Sequence, residues 1–190
     1  MLLKRFSVCG DYTNCYVAAC RNTRQAMIID PGEWTPAIAE YIEAGGLSVA
    51  CVFLTHAHPD HAGGVEEARS LYDCKVFVGR GEGYGGENVL ELEEGAVELG
   101  ELEGEVISTP GHSPGGISLY MNDVVFTGDA LFAGSVGGTS DREQFLFQAE
   151  AVWTKVLALG DHVVVNPGHG PRSTIGIERI FNPFFDDFRA

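Results

Sequence analysis

This sequence predicts a mixed α/β fold, on three observations. Short apolar runs rich in Val, Ile and Phe recur along the whole chain, bounded by Gly, Pro, Asn or Asp, and read as strands. Stretches whose apolar residues fall at helical spacing lie between them. Ligand-type residues sit directly after the apolar runs, where α/β folds place their sites. The mixture is unbroken by low-complexity tracts or by any repeat of about 20–50 residues. The 190 residues, 45% hydrophobic, suffice to bury a core without disulfide staples, so one domain over 1–190 is expected. Two sheets with helices outside satisfy the pattern, and so does a single mixed sheet.

In chain order, 2–8 reads as a first strand and, after the turn residues Gly10 and Asp11, 15–20 as a second. A third at 27–29 ends in the turn signal Asp30-Pro31-Gly32. Thr35 opens a helix to about Ala44, stopped by Gly45-Gly46. A strand at 48–54 follows, then a histidine-rich loop and a helix from about 60 to 72. Further strands are expected at 75–78, 96–99, 104–108, 116–120 and 123–127. Phe145, Ala149, Val152, Trp153, Val156 and Leu157 form the core-facing stripe of a long helix over 141–158. A last buried strand at 162–165 and a closing helix at 174–181 complete the chain.

A formal net charge of −15 repels phosphate backbones, and the twelve basic residues form no cluster to offset it, so nucleic acid is not an expected partner. The glutamates at 91, 93, 94, 98, 101, 103 and 105 read as solvated faces of strands and turns. The five cysteines, at 9, 15, 20, 51 and 74, are odd in number, include no CxxC pair and lie partly in apolar context. They read as thiols of a reducing compartment. Neither the start, Met1 to Phe6, nor any later stretch has the apolar length of a leader or a membrane span, so a cytoplasmic location without a membrane partner is expected. No oligomeric state follows from the sequence.

The densest chemistry is Thr55-His56-Ala57-His58-Pro59-Asp60-His61, directly after the apolar run 49–54. In an extended segment alternate side chains share a face, so His56 and His58 can point at one metal. Pro59 suits the first turn of a helix, which sends Asp60 and His61 in a new direction toward a second metal. Three further fragments deliver a ligand-type residue from the end of an apolar run: Pro110-Gly111-His112, Thr127-Gly128-Asp129 and Pro167-Gly168-His169-Gly170-Pro171. Counting donors, His56, His58 and His112 would hold one ion, Asp60, His61 and His169 another, and Asp129 would bridge them. That is more than one tetrahedral site needs, and it fits a pair of divalent metals with positions open for water. Nitrogen and oxygen donors without thiolate make zinc the expected metal, with iron or manganese also fitting either site. His162, the sixth histidine, falls in none of these fragments and reads as structural.

With these motifs the chain resembles the metallo-β-lactamase-fold hydrolases, and within them the short bacterial glyoxalase II-like (hydroxyacylglutathione hydrolase-like) thioesterases. Thr13-Asn14-Cys15-Tyr16, Ile29-Asp30-Pro31-Gly32, Phe126 to Phe132, Pro167 to Thr174, Glu178-Arg179 and Asn182-Pro183-Phe184 carry the likeness across nearly the whole chain. The resemblance implies a four-layer αββα sandwich with metals in a groove along the sheet edges. It also implies cleavage of a small thioester or ester by a metal-bridging hydroxide, which Asp60 would orient while binding one metal. A thiolate leaves with little protonation, so no separate general acid is demanded. Asp30, at a strand end, is the candidate partner of a ligand histidine. Relatives commonly have Arg where Gly138 stands, and the full-length enzymes bind glutathione through a helical extension that a chain ending at Ala190 is expected to lack. S-acylglutathione or a smaller, less anionic thioester or ester is therefore the expected substrate. The alternative on the same fold is a persulfide dioxygenase with a single iron at His56, His112 and Asp129. Such relatives usually depart at the last ligand motif, whereas Pro167-Gly168-His169-Gly170 is of hydrolase type.

Overall fold

The strand Thr13–Ala19 is buried at every position, which requires cover on both of its faces. The computed structural model, which describes residues 1–10 and 12–189, supplies that cover as two facing six-stranded sheets with helices outside. Asp11, half of the expected Gly10-Asp11 turn, and Ala190 lie outside the described residues.

In the first sheet β1 (Leu2–Val8), β2 (Thr13–Ala19), β3 (Gln25–Ile29), β4 (Ser48–Phe53), β5 (Lys75–Gly79) and β6 (Val89–Leu92) lie in sequence order. The first three run antiparallel, and β3 through β6 are parallel. The second sheet contains β7 (Gly95–Leu99), β8 (Leu102–Ser108), β9 (Ile117–Met121), β10 (Val124–Gly128), β11 (Val164–Pro167) and β12 (Ser173–Thr174), again in order. Only β10 and β11 pair in parallel there. Five α-helices accompany them among the described residues: α1 (Pro36–Ala44), α2 (Pro59–Ala62), α3 (Val65–Tyr72), α4 (Arg142–Ala151) and α5 (Ile175–Phe181).

Alternation along the strands sorts the apolar side chains into three layers of core. Cys15, Val17, Ile28 and Val52 pack with Ile38 and Ile42 of α1 and Val65 and Ala68 of α3. Tyr16, Met27, Ile29 and Phe53 turn the other way and meet Leu119 and Phe126 of the second sheet; the Tyr16 and Phe126 rings stand edge to face at 5.2 Å. Val125 and Val165 face outward onto Ala149, Val152, Val156 and Ile175. The result is the αββα sandwich, and the single mixed sheet is ruled out.

Four sequence expectations need correction. The helix expected over 60–72 is two helices, because the Gly64 N–H donates to the Pro31 carbonyl at 2.7 Å and leaves the helical ladder. The long helix keeps its buried stripe, but after Ala151 it widens into a π-helical turn over Val152–Val156, closed by Leu157 N–H on the Val152 carbonyl at 2.8 Å. The last buried strand begins later than expected, at Val164, and continues through Pro167, where it pairs with Gly128 across an irregular register. The edge strands β6 and β12 and the 3₁₀ segment Pro183–Phe188 carry no clear period in the sequence and were not anticipated. Among the described residues no helix is long and apolar enough to cross a membrane.

Candidate metal centre

The parallel pairing of β3 with β4 and of β10 with β11 brings four strand ends to one end of the sandwich. Main-chain bonds then lock these loops together. Asp30 N–H donates to the Phe53 carbonyl at 3.0 Å, Ile117 N–H to the Thr55 carbonyl at 2.9 Å, and Asn14 N–H to the Gly168 carbonyl at 2.7 Å. The loop after β4 carries His56 and His58, and α2 carries Asp60 and His61. His112 comes from the loop after β8, Asp129 follows β10, and His169 follows β11. All seven expected ligand positions meet here.

They gather in the expected groups. Ligand-type atoms of His56, His58 and His112 lie within 4.8 Å of one another, as do those of Asp60, His61 and His169. A third set within the same limit, His56, His61 and Asp129, joins the two. His112 Nε2 stands 3.0 Å from His58 Nδ1 and 3.6 Å from Asp129 Oδ2. His169 places Nδ1 2.9 Å from Asp129 Oδ1 and Nε2 3.1 Å from Asp60 Oδ2. His61 Nε2 is 3.4 Å from Asp129 Oδ1 and 3.6 Å from Asp60 Oδ2. His162 is remote from this cluster in its bonding, reaching among the described residues Asp123 alone, at 3.2 Å.

Asp30 orients two of the histidines. Its Oδ2 accepts from His61 Nδ1–H at 3.0 Å and from the Thr55 hydroxyl at 2.7 Å, and Oδ1 accepts the Thr55 N–H at 2.8 Å. Because the Thr55 proton is committed to Asp30, the Thr55 oxygen accepts from His56 Nδ1–H at 3.1 Å. Both Nε2 atoms therefore face the centre, where each is buried without a hydrogen-bond partner. His56 Nε2 is buried with no partner and His61 Nε2 faces the carboxylates of Asp129 and Asp60, a donor set that a cation would satisfy, so the residues present fit a divalent metal pair. At His112 the Gly138 carbonyl plays Asp30's part, accepting from Nδ1–H at 2.7 Å.

The electrostatics follow from these contacts. Burial, aided by the neighbouring imidazoles, pushes His56 down to about 2, so its Nε2 lone pair is bare. Burial opposes charge on His61 too, but Asp30 and Asp129 outweigh it and lift its pKa to about 10. Burial likewise works against charge on Asp129, yet the hydrogen bond from His169 and the close imidazoles of His61 and His56 hold its carboxyl below the usual range.

Sequence reasoning did not single out Thr55 or Thr13, whose hydroxyl lies 3.3 Å from both Asp60 Oδ2 and His169 Nε2, and it marked Gly138 only as a position where relatives have Arg. Thr55 and Thr13 sat within motifs already quoted and carried a signal. The Gly138 contribution is a main-chain carbonyl, which no residue type announces.

Residues 10–172 match the family model described as the Metallo-beta-lactamase superfamily. The chain belongs to that superfamily. It is 33% identical to the probable metallo-hydrolase YqgX of Bacillus subtilis, over 86% of this chain and 89% of that protein. It is 30% identical to the hydroxyacylglutathione hydrolase GloC of Haemophilus influenzae, over 86% and 88%. Among solved structures it is similar to the BLEG-1 B3 metallo-beta-lactamase, with a TM-score of 0.88 and 30% identity over 97% of this chain and 100% of that one. ETHE1 from Myxococcus xanthus gives 0.87 and 29%, over 96% and 84%. TTHA1623 in a di-iron-bound form gives 0.78 and 29%, over 95% and 99%.

Proposed function

We propose that this superfamily member is a binuclear metal-dependent hydrolase acting on a small thioester or related ester, in the manner of the glyoxalase II-like enzymes. The observation that carries the metal pair is the burial of His56 Nε2 and His61 Nε2, without hydrogen-bond partners, in one cluster with Asp129. His56, His58 and His112 would hold one ion, Asp60, His61 and His169 the other, with Asp129 shared. The hydroxyacylglutathione hydrolase GloC among the relatives supports thioester chemistry, and the di-iron form of TTHA1623 supports two ions on this fold. When bound, such a pair acidifies water and polarises a carbonyl, and zinc suits this thiolate-free donor set best.

The chain's own residues supply orientation. Asp30 and Thr55 hold His61 and His56 with Nε2 inward. The Asp60 carboxylate, 43% exposed, would accept a hydrogen bond from the attacking water and orient it toward the substrate carbonyl. A recess of about 460 Å³ beside His112 is lined by Gly111, Ser113, Pro114, Ser140, Asp141 and Gln144. It contains no cationic side chain, which favours an acyl thioester of low negative charge over one carrying several carboxylates. Five free thiols fit a reducing, cytoplasmic setting.

Metal content per chain, measured with hydrolysis of S-lactoylglutathione and of smaller acyl thioesters on the same sample, tests this reading. About two metals with thiol release is the expected result. One iron per chain, with oxygen uptake on a persulfide and no thioester cleavage, would replace it with the single-iron dioxygenase.

A further inference from the structure

Glu82 lies on the loop after β5, which presents none of the ligand-type residues, yet its carboxylate reaches two of the loops that do. Oε2 accepts the main-chain N–H of Ala57 at 2.9 Å, between His56 and His58. Oε1 accepts the N–H of Gly115 at 2.8 Å, three residues beyond His112. Ala57 follows β4 of the first sheet and Gly115 precedes β9 of the second, so one carboxylate ties the sheets together at the first histidine group. The fit is close: a Cβ on Gly115 would stand 2.7 Å from the Glu82 nitrogen, so the two loops meet backbone to backbone.

The three histidines of this group are not equally anchored. His56 is buried and held through Thr55 and Asp30. His58 is exposed, and the His112 ring is held by a main-chain carbonyl of another loop. The separation of these two rings depends on how the loops that carry them are spaced. We propose that Glu82 is a positioning residue: by fixing Ala57 against Gly115 it sets the approach of His58 to His112, and with it the affinity of the first group for a divalent cation. This rests on the reading above that His56, His58 and His112 hold a metal. The main-chain partners of Glu82 lie between His56 and His58 and on the loop of His112, and it makes no hydrogen bond to Asp60, His61 or His169, so its effect falls on the first group. Hydrogen bonds from amides to a carboxylate are about twice as strong as neutral ones, which suits a side chain that must hold two loops without a covalent link.

The test is a zinc titration of the full chain, stripped of metal and competed against a chromophoric chelator, for wild type and Glu82→Gln. Gln keeps the volume but offers one acceptor oxygen where two are needed. One site is expected to weaken by about 10–100-fold, the usual range for losing an outer partner of a metal ligand, with the other unchanged. In the metal-free chain the side-chain ¹⁵N signals of His58 and His112 should shift, while those of His61 and His169 stay in place. Glu82→Asp, with both acceptors retained on a shorter arm, should recover part of the affinity, and it replaces Gln as the deciding variant if Gln does not fold. Wild-type affinity at both sites, or equal weakening of both, would overturn the positioning role. Wild-type protein that takes up no zinc would instead refute the proposed function, and the imidazole signals would still decide whether Glu82 positions His58 and His112.

Discussion

Asp30 shows how much one side chain can commit. It sits in the left-handed region, at φ 50°, a conformation that Asp and Asn tolerate better than most residues. From there it fixes the ring orientation of His61 directly and of His56 through Thr55. Asp30→Asn keeps the size and the backbone preference while removing the charge. It should lower metal affinity by about 10–100-fold, read by competitive chelation, with the circular dichroism spectrum unchanged. Undiminished affinity would refute the orienting role. His61 supports a second prediction at this scale. Its metal-free pKa of about 10 lies above the ordinary histidine value, so between roughly pH 6.5 and 10 the ring is charged in the folded apo-protein. A cation binding Nε2 must displace that proton. Zinc uptake at pH 7.5 should therefore release protons, and affinity should rise with pH up to about 10. Calorimetry in buffers of different ionisation enthalpy measures the release directly, and heats independent of the buffer would contradict it.

At the scale of elements, the centre depends on strand ends meeting where no side chain can intervene. Gly168, at the end of β11, packs so closely that a Cβ there would stand 2.6 Å from His61 Cε1 and closer still to Asp129 Oδ1. Gly168→Ala should therefore push β11 away from α2 and β10, at a cost of about 1–3 kcal/mol in stability, the usual range for overpacking. Hydrolytic activity should fall more than the folded fraction does, because His61, His169 and Asp129 separate. Wild-type turnover in a normally folded Gly168→Ala protein would show that the close approach is dispensable. The break between α2 and α3 belongs to the same design. By giving the Gly64 N–H to Pro31, the chain turns α2 into a single turn that directs Asp60 and His61 into the centre.

At the scale of the whole molecule, four of the seven ligand-type residues come from the first sheet's loops and three from the second's, so a bound pair of ions would brace the two halves of the sandwich. Binding to the folded state alone adds about 2.7 kcal/mol per site when free metal is 100 times its Kd. For a chain of this size each kcal/mol is worth about 2–4 °C in Tm. Chelation should lower the Tm by several degrees, and zinc should restore it; an unchanged Tm would contradict a bracing role.

The apolar runs, the turn residues behind them and the ligand-type side chains at their ends are local features, and local features are legible in a sequence. Strand pattern and spacing alone pointed to an α/β chain with five histidines and two aspartates at loops following strands. Asp30, at its strand end, was legible too. What the tertiary structure decided is who meets whom. The facing of two sheets, the Gly138 carbonyl behind His112 and the doubled role of Asp30 all depend on contacts between distant segments. Asn14 donating to the Gly170 carbonyl spans 156 positions, and Glu82 bridging Ala57 and Gly115 spans 25 and 33. Such bonds form only after the sheets have packed. Their partners are often main-chain atoms such as the Gly138 carbonyl, which every residue possesses and no residue type advertises.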